Sequence, residues 1–211
     1  MLKKSFAIIF LLCSASVALA GFLPELRLPT SNVTYGFLIP NEEYPSDAIP
    51  LFDHAPAGVY IAVGTERGFI SAALTPNITH LLLADVDYEV VRYNRLNIAL
   101  LKVAKSRRDY LHLRLGARAK EWKARAYASS IIDKKEIRLL ADATIWKWWK
   151  EKVRDYSKFR RFHAPLPHDR SVPFVFKSAN YLYYDALFER IKDLAVKNRI
   201  DVVQLDLRDH L

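Results

Sequence analysis

Thiol chemistry is almost absent from this chain: Cys13 is the only cysteine among 211 residues. It follows Lys3, Lys4 and an apolar run from Phe6 to Leu12, and it precedes Ala18-Leu19-Ala20. A basic start, a short apolar run and small residues at the cleavage positions make residues 1–20 a secretory signal peptide. Cleavage near Ala20 and export to a bacterial periplasm or the medium are the expectation. The rest of the chain would then carry no disulfide, no thiolate nucleophile and no cysteine metal site. The apolar run is short for a bilayer span, so a membrane anchor ranks second. Lipidation needs a small residue just before the cysteine, and Leu12 stands there instead.

Other signatures are missing too. There is no Gly-x-Ser-x-Gly elbow, no P-loop and no His-Glu-x-x-His. His163 and His168, with Asp169 beside them, match no common zinc spacing, so no metal is expected. Apolar residues are not in short supply: 51% are hydrophobic and 12% aromatic, which excludes a disordered chain and suffices for one core. The formal charge is +9, falling to +7 once Lys3 and Lys4 are removed. It is unevenly spread, because residues 102–161 hold nineteen Lys and Arg against seven Asp and Glu. Rich in Ala, Leu, Lys, Arg and Glu, this stretch reads as a basic helical insertion over 106–162. Residues 21–55, with scattered prolines, read as an arm over the core with one short helix near Ser46 to Phe52.

The organising stretch is Val59 to Leu101. An apolar run, Val59-Tyr60-Ile61-Ala62-Val63, is closed by Gly64-Thr65-Glu66-Arg67-Gly68, and a buried strand turning into a helix at Gly68 is expected. A second run, Leu81-Leu82-Leu83-Ala84, ends in Asp85-Val86-Asp87, and Tyr88 to Lys105 has helical spacing. Strand, glycine turn, helix, strand ending in acid, helix is the opening of a doubly wound α/β sheet. Further on, Val172–Phe176 reads as a strand, Ala179–Lys197 as a helix and Ile200–Leu207 as a strand. Ending soon after that strand would leave an open edge, for which a truncated product, a partner or the N-terminal arm are the candidates, truncation being favoured.

Gly64 to Gly68 and Asp85-Val86-Asp87-Tyr88-Glu89-Val90-Val91 resemble the start of class I S-adenosylmethionine-dependent methyltransferases. The helix Asn94-Arg95-Leu96-Asn97-Ile98-Ala99-Leu100-Leu101 is similar to that of uncharacterised exported bacterial proteins with a methyltransferase-like Rossmann fold. The resemblance covers residues 56–110 and 173–209. It implies a Rossmann-like domain over 56–211, strand order 3-2-1-4, incomplete at its carboxyl end. It also implies S-adenosylmethionine as cofactor, bound by Gly64, Thr65, Gly68 and Asp85, with Asp206 facing the methyl acceptor. Glu66 replaces the middle glycine of the family's first motif, close to the cofactor's own carboxylate, with Arg67 as its available counter-ion. For Asp85 the other reading is a helix cap, a role assigned to Asp87.

Ile145-Trp146-Lys147-Trp148-Trp149-Lys150 is the most conspicuous cluster. One reading packs Trp146, Trp149 and Val153 on the sheet with the lysines solvated. The other makes an interfacial helix on an anionic membrane surface, or a stacking patch for nucleic acid, which export disfavours. Two functions stay open: a methyltransferase-like protein binding a small nucleotide ligand, and an exported non-catalytic module. The second would bind a protein partner or an anionic membrane surface through its basic insertion.

Overall fold

The computed structural model describes residues 49–155 and 180–205, with side chains over 50–152 and 180–205. A short helix α1 (Ile49–Asp53) leads to strand β1 (Gly58–Val63), helix α2 (Glu66–Leu74), strand β2 (Ile78–Asp85) and helix α3 (Tyr88–Val103). The insertion follows as α4 (Arg107–Leu111), a π-helical turn (His112–Gly116), α5 (Ala119–Ala128), α6 (Lys134–Ala141) and α7 (Ala143–Asp155). Helix α8 (Asp185–Val196) and strand β3 (Ile200–Gln204) complete the described elements. The protein is an α/β fold in which a small parallel sheet carries many helices.

The sheet has the order β1-β2-β3, with both pairs parallel. Tyr60 pairs with Leu81 and Ala62 with Leu83, and Leu83 pairs with Val202. These residues share one face, because side chains alternate along a strand. Leu81 and Leu83 are wholly buried there under α2 and α3, while α8 packs against both helices. Val59, Ile61 and Val63 alternate to the other face and remain 42–62% exposed.

The local signals act as their residue types dictate. Asp87 caps α3, its carboxylate accepting the Glu89 N–H at 2.8 Å. Asp133 and Glu136 form a reciprocal capping box on α6. Asn198, at φ 54°, ends α8 in the left-handed conformation, and the next N–H, of Arg199, closes on Leu194 O at 2.8 Å.

Three expectations are revised. The strand at Ile200 was expected fourth in the order 3-2-1-4, beside β1; it pairs with β2 instead. The place beside β2 had been given to Val172–Phe176, which lies outside the described residues. Helix α2 already begins at Glu66, so the first loop is only Gly64-Thr65 and Gly68 is helical. Helix α8 starts at Asp185 rather than Ala179, because residues 181–183 form a turn after Asn180. Every element described between 106 and 155 is a helix or helical turn, joined by short connections. His163, His168 and residues 1–48 lie outside the described residues.

Gly68 is required by close packing of helix on sheet. A Cβ there would stand 2.5 Å from Leu83 Cδ2 and 3.1 Å from Ala62 Cβ. Leu83 is fully buried and has little room to yield. Glycine to alanine inside a helix normally gains up to about 1 kcal/mol, whereas overpacking costs about 1–3 kcal/mol. Gly68→Ala is therefore expected to lower stability by about 1 kcal/mol net, read from the urea midpoint at unchanged slope.

Candidate functional site

The carboxyl ends of β1 and β2 lie side by side, and Asp85 joins them. Its Oδ2 accepts the Gly64 N–H at 3.0 Å and its Oδ1 accepts the Asp87 N–H at 2.8 Å. Asp85 therefore holds the β1–α2 loop and the start of α3, while the cap itself belongs to Asp87. Burial pushes the Asp85 carboxyl above the usual carboxylate range, opposed by these two N–H groups. Gly64 has φ 90°, a conformation that favours glycine, and a Cβ there would meet no atom within 4 Å. Its carbonyl accepts Asn94 Nδ2 at 2.8 Å. Asn94 is 1% exposed, and its Oδ1 has no hydrogen-bond partner. Asn94 thus holds the loop from the protein's interior.

Thr65 and Gly68 do not share that openness. Thr65 is buried at the start of α2, and Gly68 is turned to the sheet. Asp206, expected to face a methyl acceptor, lies outside the described residues.

Glu66 points away from the loop and into the core. Its carboxylate meets Arg114 Nη2 at 2.6 Å, and both side chains are fully buried. Tyr93 and Tyr181 donate their hydroxyls to its two oxygens at 2.5 and 2.7 Å. Arg114 also donates to Tyr93 OH, to Tyr110 OH at 2.9 Å and to Asn97 Oδ1 at 3.1 Å. Tyr110 donates to the same Asn97 oxygen, while Asn97 Nδ2 reaches Tyr181 OH at 3.3 Å. The guanidinium carbon lies 5.6–5.9 Å from the rings of Tyr93, Tyr110 and Trp149. Arg114, rather than Arg67, is therefore the counter-ion of Glu66. The expected repulsion between Glu66 and a bound carboxylate has no basis in this geometry.

This centre was half visible in the sequence. Glu66 stood out as an acid where a glycine was expected, whereas Arg114 went unremarked. Its signal was a lone cation in Tyr110-Leu111-His112-Leu113-Arg114-Leu115, where its neighbours are mostly core residues. An acid and a base that are both misfits in apolar surroundings are candidates for each other. Tyr181, just after Asn180, closes the buried network.

The tryptophans of the insertion are structural. Trp149 is fully buried, stacked on Tyr93 at 4.8 Å and edge-on to Trp122 at 5.9 Å, with Nε1 donating to Arg114 O at 2.9 Å. Trp146 Nε1 donates to Ala117 O at 3.2 Å and Trp148 Nε1 to Glu89 Oε1 at 3.3 Å. They pack against α3 and the insertion's own helices rather than directly on the sheet. Lys150 is not simply solvated, since its Nζ donates to Leu115 O at 2.6 Å. No group of three metal-ligating side chains occurs among the described residues, and no helix there is long and apolar enough to cross a membrane.

The family model described as Domain of unknown function (DUF7790) matches residues 39–210. The chain belongs to that family. Its match spans the segments that carry the Asp85 loop and the Glu66–Arg114 centre. No curated protein matches the sequence.

Burial raises the hydroxyl pKa of Tyr110 to about 12 and holds those of Tyr93 and Tyr181 well above the usual phenol range. The native state therefore keeps protons that an unfolded chain releases near pH 10. Their contribution to stability is complete below about pH 10 and is lost as pH rises toward about 12. Absorbance at 295 nm should show exposed tyrosines such as Tyr127 ionising first. The buried three are expected to ionise only together with loss of the native circular dichroism. Smooth ionisation of every tyrosine near pH 10 in a folded protein would contradict the buried network.

Proposed function

We propose that this chain is a methyltransferase-like Rossmann protein that binds the nucleoside part of S-adenosylmethionine at the carboxyl ends of β1 and β2. The observation that carries this reading is Asp85: a half-buried carboxylate at the end of β2, turned across the strand ends to the Gly64 amide. Ligands of parallel α/β sheets bind outside the carboxyl ends of the strands. Each Asp85 oxygen uses one lone pair on a backbone N–H and keeps another for a ribose hydroxyl. Gly64, whose carbonyl Asn94 holds, leaves open space where a Cβ would stand. The residues present thus fit the nucleoside end of the cofactor.

When bound, the cofactor would supply a methyl group on a sulfonium for transfer to a nucleophile. The chain's contribution would be positioning: Asp85 would orient the ribose, and Gly64 would let the backbone come close. Glu66 is no obstacle, since Arg114 and two tyrosines engage its carboxylate. The other function, a non-catalytic module on an anionic surface, lacks its expected anchors, because none of the three clustered tryptophans is exposed.

The test is a thermal melt of the full chain with S-adenosylhomocysteine. Binding to the native state alone raises stability by about 2.7 kcal/mol at a hundredfold excess over Kd. Asp85→Asn keeps an acceptor for one backbone N–H and is expected to lose about 1 kcal/mol of intrinsic stability. The ligand shift should largely disappear in that variant. A wild-type protein that melts cooperatively with no ligand shift would sink the proposal.

A further inference from the structure

Among the described residues the sheet ends at β3. Leu81 N–H donates to Arg199 O, and Leu205 N–H donates to Asp85 O, each at 2.9 Å. Bonds to β2 therefore come from Arg199, Asp201, Val203 and Leu205. The N–H and C=O of Ile200 and Val202, at the alternate positions, turn outward. Among the described residues neither outward pair has a hydrogen-bond partner. Such an edge is a template for another strand.

A groove of about 590 Å³ runs beside this edge, between β3 and helices α3, α6 and α7. Three consecutive residues, Ile200, Asp201 and Val202, line it, so it is bounded by the strand's edge rather than by one face of the sheet. Ile98, Leu139 and Ile145 give it an apolar lining. The helices' acids are engaged within the protein. Asp133 accepts the N–H groups of Lys135 and Glu136 at 2.7 and 2.8 Å, and Glu136 holds Lys102 at 2.6 Å. Asp142 accepts the Thr144 N–H and hydroxyl, both at 2.7 Å. By contrast the side chains of Arg95, Lys135 and Arg138 are exposed and make no hydrogen bond or ion pair among the described residues. Asp201 is the one lining acid left over, and it alternates to the opposite face from buried Ile200.

We infer that this groove is a strand-addition site for an extended, acidic segment of a partner protein. The partner's main chain bonds to Ile200 and Val202. Its acidic side chains, at alternate positions, turn toward the helices, their carboxylates meeting Arg95, Lys135 and Arg138 and their methylene stems meeting the apolar lining. The outward amides supply affinity and the three cations supply selection for acid.

The probe is a fluorescein-labelled peptide of four Val-Glu repeats, titrated with the full chain and followed by anisotropy. Saturable binding that weakens with salt is expected, and a Val-Lys peptide of equal length should not bind. Combining Arg95→Glu with Arg138→Glu, at exposed positions that leave the fold intact, should weaken binding roughly fivefold or more. Val202→Pro removes an outward N–H that takes no part in the β2 ladder and should abolish binding. The inference is overturned by no saturable binding, by equal binding of the Val-Lys peptide, or by folded charge variants that bind as tightly as wild type. Self-association by sedimentation that disappears in Val202→Pro would assign the edge to a second copy, which also overturns it.

Discussion

Glu66 and Arg114 meet at 2.6 Å where α2, α3 and the π-helical turn converge, and neither has any exposure to solvent. Moving two charges out of water costs several kcal/mol each, and their attraction offsets this only when the remaining donors and acceptors are also satisfied. Tyr93, Asn97, Tyr110 and Tyr181 engage both Glu66 oxygens and both terminal nitrogens of Arg114, drawing on α3, α4 and the turn ahead of α8. The network joins residues more than a hundred positions apart. An ion pair of this kind contributes little net stability compared with a well-packed apolar core, but it tolerates few alternative arrangements. Loss of one partner leaves the other charged, buried and alone.

That constraint reaches the candidate site through geometry. Glu66 is the first residue of α2, two positions after Gly64. Fixing Glu66 in the core fixes where the chain leaves β1, and Asp85 and Asn94 hold Gly64 from either side. The loop is positioned by the protein's own polar groups, which is the preorganisation a binding site needs. Trp149 extends the same core into the insertion by stacking on Tyr93, so the basic helices are anchored to the sheet's helical layer. The insertion is an integral part of the domain, and its most conspicuous residues serve its packing.

Local physics made much of this legible in advance. The apolar runs at Val59 and Leu81 both form strands, but only the run at Leu81 is buried, since β1 leaves Val59, Ile61 and Val63 exposed; Asp87 caps because its carboxylate is one residue from a helical start. What was not legible depends on contacts distant in sequence. Ile200 pairs with β2 rather than β1, and an apolar strand carries no mark of its neighbour. Gly68 looked like a ligand-loop glycine, whereas its lack of a Cβ is needed against Leu83. Tyr110 and Tyr181 gave no sign of a shared partner, since a tyrosine pattern is the same for packing as for a ligand wall.

The account rests on Glu66 and Arg114 acting as one unit, and a double-mutant cycle measures that directly. Urea unfolding of Glu66→Gln, Arg114→Gln and the double variant gives the coupling energy. Each single variant should lose about 3–5 kcal/mol. The double variant should lose much less than the sum, with coupling of about 2–3 kcal/mol. Losses that add to within about 0.5 kcal/mol would mean that the two charges do not depend on each other, which contradicts their acting as one buried unit.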